Sequence, residues 1–301
     1  MQTLKRTVML AALAAALIPL TASVARAQWD PVGDARGVQA NREYVSKTPW
    51  ELIDSLTGNL ILQFTDLVLP GNAGRDLRFQ RTYNLKNGGW RFGIAGLPMQ
   101  VYDAYPSQCA PPVLFGADGS TVEMVLLNGG NMCSPWWITD QFWKYDRYTH
   151  KLYLPDGSIS TYDGWNGSLS SHQDAFGNQV TLSGWGGGTL TVTQGLGNSE
   201  QRVITLSLAS TSCSQGVWGA SYGNMFYDGN GYLHFLSNGT CNLPSSMSYA
   251  GRTWTYTWSS TATANLPEGV SWQYASGSGL TVTTPNGGSV HYGVASIAWG
   301  G

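Results

Sequence analysis

Chemistry in a protein starts from side chains that attack, shuttle protons or hold a metal, and in this 301-residue chain they are few and dispersed. The four histidines, His150, His172, His234 and His291, have no second His or Cys at metal-ligand spacing. Each therefore reads as an ordinary surface or core imidazole. Hydrolysis by a serine nucleophile asks for a strained G-x-S-x-G elbow, and Gly277-Ser278-Gly279 lacks its flanks. Glu123, Asp163, Glu200 and Glu268 are the acids open to a two-carboxylate glycosidase mechanism. Asp118, Asp156, Asp174 and Asp228 instead sit in glycine-containing turn sequences, where a short carboxylate hydrogen-bonds its own turn backbone. Gly184-Trp185-Gly186-Gly187-Gly188 has no Lys-Ser/Thr sequel and no following helix, so it reads as a strand connection and not a phosphate loop. The expectation is no catalytic residue, no metal and no cofactor.

Binding and cross-linking remain. The run from Pro135 to Tyr145 holds Trp136, Trp137, Trp143 and Tyr145, and sugar rings stack on such side chains when polar neighbours orient them. Alternation puts Trp137, Thr139, Gln141 and Trp143 on one face and Trp136, Ile138, Asp140 and Phe142 on the other. Neither face is purely aromatic, so core packing competes with glycan contact at Trp136, Trp137, Trp143 and Tyr145. Cys109, Cys133, Cys213 and Cys241 fall into two sequence-local pairs. Of three connectivities, disulfides Cys109–Cys133 and Cys213–Cys241 are the most economical, with free buried thiols as the alternative.

The compartment follows from the first residues. Lys5 and Arg6 precede an apolar run from Val8 to Leu20 and the small-x-small triplet Ala25-Arg26-Ala27, the layout of a signal peptide over residues 1–27. The run is shorter than the roughly 20 apolar residues that span a membrane, and no Cys follows the cleavage site to carry a lipid. The expectation is export with cleavage before Gln28, to the periplasm, the cell surface or the exterior, where disulfides persist. Cleavage removes Lys5, Arg6 and Arg26 and no acid, which takes the net charge from −2 to −5. That balance excludes nucleic acid as a partner, and no later stretch is apolar over a membrane-spanning length.

The elements that must position these groups are strands. Charged residues make up 11% of the chain, Phe, Trp and Tyr 12%, and glycine accounts for 38 residues. This composition favours strands and turns over helices. Residues 28–56 read as a polar N-terminal arm with one helical turn starting at Thr48 and Pro49. Leu60, Leu62 and Phe64 share one face of a strand, and Leu77, Phe79 and Tyr83 one face of the next. From about Phe115 a strand, a Gly turn and a second strand recur, around Asp118-Gly119, Asp156-Gly157, Asp174 to Gly177, Asp228-Gly229, Glu268-Gly269 and Asn286-Gly287. Each predicts a β-hairpin, and Trp254, Tyr256 and Trp258 predict an aromatic strand face. The expected fold is all-β, with repeated antiparallel hairpins forming a curved or spiralling sheet.

Two features together resemble the RHS/YD-repeat family of exported bacterial proteins. Residues 57–93 carry Thr57-Gly58-Asn59-Leu60 through Asp66, then Leu69-Pro70-Gly71, Arg81-Thr82-Tyr83-Asn84 and Gly89-Trp90-Arg91-Phe92-Gly93, a series similar to the family's N-terminal motif. The hairpins over 115–292 look like degenerate copies of its short repeats, with Thr161-Tyr162-Asp163 and Phe226-Tyr227-Asp228 nearest to a tyrosine–aspartate unit. The resemblance implies an RHS-like leading segment over 57–114, repeats over 115–301, and a partial RHS-like shell, which in long members closes around a C-terminal toxin or other passenger. It implies a non-enzymatic scaffold or casing segment at the cell surface or in intercellular toxin delivery, with a downstream passenger or further repeats as partner. The alternative is a secreted carbohydrate-binding β module with a glycan as ligand.

Overall fold

The chain divides into two compact units, residues 1–35 and 36–301. The computed structural model describes residues 38, 42–71, 76–85, 89–103, 111–127, 135–185, 188–195, 201–213, 225–227, 233–235, 239–277 and 279–293, with the backbone alone described over 211–241. Residues 1–35, which include the expected signal peptide, lie outside the described residues.

In the second unit, a five-stranded antiparallel sheet runs in chain order through β1 (Tyr44–Val45), β2 (Glu51–Asp54), β3 (Leu60–Leu69), β4 (Leu77–Asn84) and β5 (Gly89–Ile94). A second sheet holds β6 (Pro98–Tyr102), β7 (Val113–Gly116) and β8 (Thr121–Glu123). A 15-stranded sheet follows, beginning with β9 (Val125–Leu126), β10 (Trp136–Ile138), β11 (Lys144–Asp146), β12 (Lys151–Tyr153), β13 (Ile159–Tyr162), β14 (Leu169–Gln173), β15 (Gln179–Ser183), β16 (Thr189–Gly195) and β17 (Gln201–Cys213). A separate hairpin, β18 (Met225–Tyr227) with β19 (Leu233–Phe235), interrupts it. The sheet then resumes through β20 (Gly239–Tyr249), β21 (Arg252–Thr257), β22 (Thr261–Asn265), β23 (Ser271–Ser276), β24 (Gly279–Thr283) and β25 (Ser289–Gly293). The fold is all-β, and the long sheet is curved and not closed into a barrel. Among the described residues no helix is long and apolar enough to cross a membrane.

The hairpin motif sets this topology. At Leu154–Ser158 the Gly157 N–H donates to the Leu154 carbonyl at 3.0 Å and the Leu154 N–H donates to the Ser158 carbonyl at 2.9 Å. Gly157 sits at φ 82°, so this is a type I turn closed by a left-handed residue, a place that suits glycine. The same pair of bonds closes Gly116–Ser120, Asp174–Asn178, Leu266–Val270 and Thr284–Gly288. Five of the six expected hairpins therefore form at their motifs. The Asp228-Gly229 turn lies outside the described residues, and its flanks β18 and β19 pair antiparallel. Because the long sheet is a meander, every second connection falls at the same end. The turns Leu154–Ser158, Asp174–Asn178, Leu266–Val270 and Thr284–Gly288 all do so.

One face of the long sheet is apolar from strand to strand. Leu190 stands opposite Leu206, Leu206 opposite Met247 and Met247 opposite Trp254, and all are buried. A one-residue slip in any pair would turn these side chains to solvent, which pins the register. The cover for this face is the chain's own β1–β8: Phe64 meets Tyr274 at 5.2 Å between ring centroids, Phe92 meets Tyr256 at 5.5 Å, and Trp90 meets Trp258 at 5.9 Å. Trp254 and Tyr256 are buried and Trp258 is partly buried on the expected face.

Two sequence boundaries shift. Glu51–Asp54 forms a strand and not a helical turn, because its backbone finds a ladder partner in β3, whereas an isolated turn of helix is unstable. The arm thus joins the first sheet. The Asp118-Gly119 hairpin belongs with β6 in the small sheet, so the long sheet starts at Val125.

Candidate functional site

The most heavily bonded cluster begins with a β-bulge. The pairing of β3 with β4 shifts between Thr65 and Leu67, which leaves Asp66 as an extra residue. A bulge reverses the side-chain phase, so Leu60, Leu62 and Phe64 before it and Leu67 and Leu69 after it all reach the core. Arg81 stands opposite Phe64 and is 1% exposed. Its Nε and Nη2 donate to the two Asp66 carboxylate oxygens at 2.7 and 2.9 Å, and its Nη1 donates to the Tyr274 hydroxyl at 2.6 Å. The Tyr256 hydroxyl donates to Asp66 Oδ2 at 3.0 Å. The rings of Phe64, Tyr274 and Tyr256 lie 5.1, 5.6 and 5.9 Å from the guanidinium carbon. Burial works against the Arg81 charge, but Asp66 and the Tyr274 oxygen outweigh it and raise the guanidinium pKa further. Burial likewise pushes the Tyr256 and Tyr274 phenols up. With both charged side chains 1% exposed, this cluster has no face for a substrate. It fastens β3 and β4 to β21 and β23.

Other polar groups, buried or half-buried, play the same part. The Tyr292 hydroxyl on β25 donates to Glu51 Oε2 on β2 at 2.6 Å. Burial, then the Glu51 contact, pushes the Tyr292 phenol up to about 12. Arg147 donates twice to the Asp103 carboxylate, both at 2.8 Å; burial raises the Asp103 pKa, against the pull of Arg147. The Tyr162 hydroxyl reaches the Pro98 carbonyl at 3.2 Å. Within the arm, burial would raise Asp54, but the N–H groups of Leu56 and Thr57, the Thr57 side chain and Arg42 hold it below the usual carboxylate range.

The four aromatic candidates do not form one platform. Trp137 and Tyr145 face each other across β10 and β11 and are each 1% exposed, so they belong to the core and not to a glycan surface. The physical reason is that residues 136–145 are a hairpin and not one strand: the Thr139 N–H bonds the Trp143 carbonyl at 3.0 Å and the Phe142 N–H bonds the Thr139 carbonyl at 3.1 Å. Alternation therefore breaks after Ile138. Trp136 is half-buried with the Lys144 ammonium 4.0 Å from its ring centroid. Trp143 lines a cavity.

The remaining candidates are also separated. Cys213 stands opposite Gly239, and Cys241 opposite Thr211, on β17 and β20; Cys109, Cys133 and Glu200 lie outside the described residues. His172 Nδ1 is 3.0 Å from Ser160 Oγ, His150 Nδ1 3.4 Å from Tyr145 Oη, and His291 Nδ1 3.0 Å from Thr281 Oγ1. His234 stands on β19. Among the described residues no group of His, Cys, Asp and Glu is arranged to hold a metal. Asp163 accepts the Trp165 and Asn166 N–H groups, each at 2.9 Å, and Glu268 pairs with Arg252. Their two connections fall at opposite ends of the long sheet, and Glu123 is on β8. Asp118, Asp156 and Asp174 accept turn N–H groups, as their sequence positions predict.

Two cavities, of about 420 and 270 Å³, share the Ala95–Leu97 turn between β5 and β6. Gln63, Gln80, Asp118, Ser120, Gln141 and Trp143 supply the polar and aromatic lining of the larger. Asp156, Ser158, His172, Asn178 and Gln194 contribute to the smaller. Gln63 had a sequence signal, an amide between the apolar Leu62 and Phe64, that motif reading passes over; Gln80, among Arg78, Arg81 and Thr82, had none. No family model and no curated protein matches the chain.

Proposed function

We propose that the chain is an exported, non-enzymatic β scaffold of the RHS/YD-repeat kind, a casing segment of a cell-surface or intercellular toxin-delivery system. The supporting observation is the Asp66–Arg81 pair. Both residues belong to the N-terminal motif, and both are consumed in tying that segment to Tyr256 and Tyr274 of the hairpin series. That use is mechanical. The meander adds each strand to the one before it, and the outer edge of β25 has no partner strand among the described residues, which suits extension by further repeats. A passenger would lie beyond this segment, since β1–β8 already cover the apolar face of the long sheet.

In this reading residues 1–27 are a cleaved leader and the cysteines pair as Cys109–Cys133 and Cys213–Cys241. Cys213 and Cys241 are one diagonal step apart in the ladder, about 7–8 Å between Cα atoms in a regular pair. That is just above the usual disulfide span, so a bond there draws the strands together. The test is fractionation of native cells with an antibody to residues 28–301, reading compartment and native size. The expected result is an exported species well above the size of the chain alone. A cytosolic species or a free monomer overturns the casing.

A further inference from the structure

The two cavities share the Ala95–Leu97 turn, which the scaffold role does not use, and we propose that they bind a linear, neutral oligosaccharide. The larger volume, about 420 Å³, is within the range of small-ligand sites. Its chemistry is that of an uncharged polyol. The side-chain amides of Gln63 and Gln141 and the Trp143 indole N–H have no hydrogen bond among the described residues, and Gln80 donates to Thr82 Oγ1 while keeping its carbonyl. These groups offer donors and acceptors in pairs, as sugar hydroxyls require, and Trp143 adds an aromatic surface.

The charge pattern excludes an anionic ligand. Neither cavity is lined by Lys or Arg, while Asp76, Asp118, Asp156 and Asp174 all line one or the other. These carboxylates already accept backbone N–H groups, from Gly71, Ser120, Ser158 and Phe176 respectively. They repel a polyanion without offering a free cation site.

A second observation points the same way. Phe142, between Gln141 and Trp143, is 74% exposed and sits at φ 61°, a backbone state that is strained for a bulky side chain. Phe176 in the Asp174–Asn178 turn, beside the smaller cavity, is 70% exposed. Each cavity thus has an exposed ring in a turn that helps to line it, and these turns fall at the same end of the long sheet. A chain of sugars lying across Gly96, which lines both cavities, would reach the polar groups of each.

The experiment is calorimetric titration of residues 28–301 with cellooligosaccharide, maltooligosaccharide and chitooligosaccharide, with oligogalacturonate and an unstructured polar peptide as comparisons. Saturable binding of at least one neutral sugar is expected, weakened about tenfold or more by Trp143→Ala, Gln141→Ala or Gln63→Ala. Phe142→Gly separates binding from folding: it relieves the backbone strain, so the thermal midpoint holds or rises while affinity falls. Trp165→Ala, at the opposite end of the long sheet and 92% exposed, leaves affinity unchanged. No binding of any neutral sugar, preference for oligogalacturonate or the peptide, or affinity unmoved by Phe142→Gly and Gln141→Ala overturns the proposal. The scaffold reading stands or falls separately, on compartment and size.

Discussion

An arginine with 1% exposure is tolerated only while every charge around it is answered. Removing one partner of a buried pair leaves the other uncompensated, at a cost of about 3–5 kcal/mol. Asp66→Asn is therefore expected to lower the unfolding free energy by that amount, read as a lower urea midpoint with an unchanged denaturant slope. Arg81→Met combined with Asp66→Leu should cost less than the two single changes together, because the coupled charges leave as a pair. Tyr292 gives a pH-dependent counterpart. Its folded pKa of about 12 lies above the ordinary phenol value of about 10, so its contribution is complete below pH ~10 and is lost as pH rises toward ~12. Comparison with Tyr292→Phe should show wild type ahead by less than about 1 kcal/mol at pH ~9, since solvent screens this half-exposed phenol, with the gap closing by pH ~12. Neither contact was legible in the sequence. Arg81 and Tyr274 are separated by 193 residues, and no local pattern encodes such a meeting. The aromatic run failed for the opposite reason: its composition is local, but an unmarked turn at Asp140 and Gln141 divides it, and burial of Trp137 and Tyr145 depends on what covers them.

At the scale of the element, the hairpins were legible because a glycine turn carries its own geometry. Gly287 is at φ 80° with nothing near its Cα substituent position, so Gly287→Ala should cost only the left-handed backbone, about 1–2 kcal/mol. Gly157→Ala should cost more, since the added carbon would meet the Ala175 Cβ at 3.2 Å. Thermal melts of the two variants check the order. The bulge at Asp66 was hidden, although Leu67 and Leu69 falling out of phase with Leu60, Leu62 and Phe64 is its trace in the sequence. The strand at Glu51–Asp54 was hidden too, because β pairing with a distant segment decides it and helix capping does not.

For the whole molecule, the first eight strands act as the lining of the long sheet. A chain lacking residues 28–94 should bind a hydrophobic dye strongly and aggregate, because Tyr256, Tyr274 and their neighbours lose their cover; a soluble, dye-negative product would refute that arrangement. Sequence reading reached the sheet and its repeated hairpins but not this lining, since the identity of the covering face is set by contacts between the two ends of the unit. The Tyr292–Glu51 bond spans 241 residues, and it makes folding a matter of timing. At roughly 5–20 residues per second of synthesis, on the order of 10–50 seconds separate the emergence of β2 from that of β25. For most of that interval Phe64, Arg81 and Trp90 wait for their partners on β21 and β23 and beside them, so a nascent chain needs shelter or speed until its last hairpins arrive.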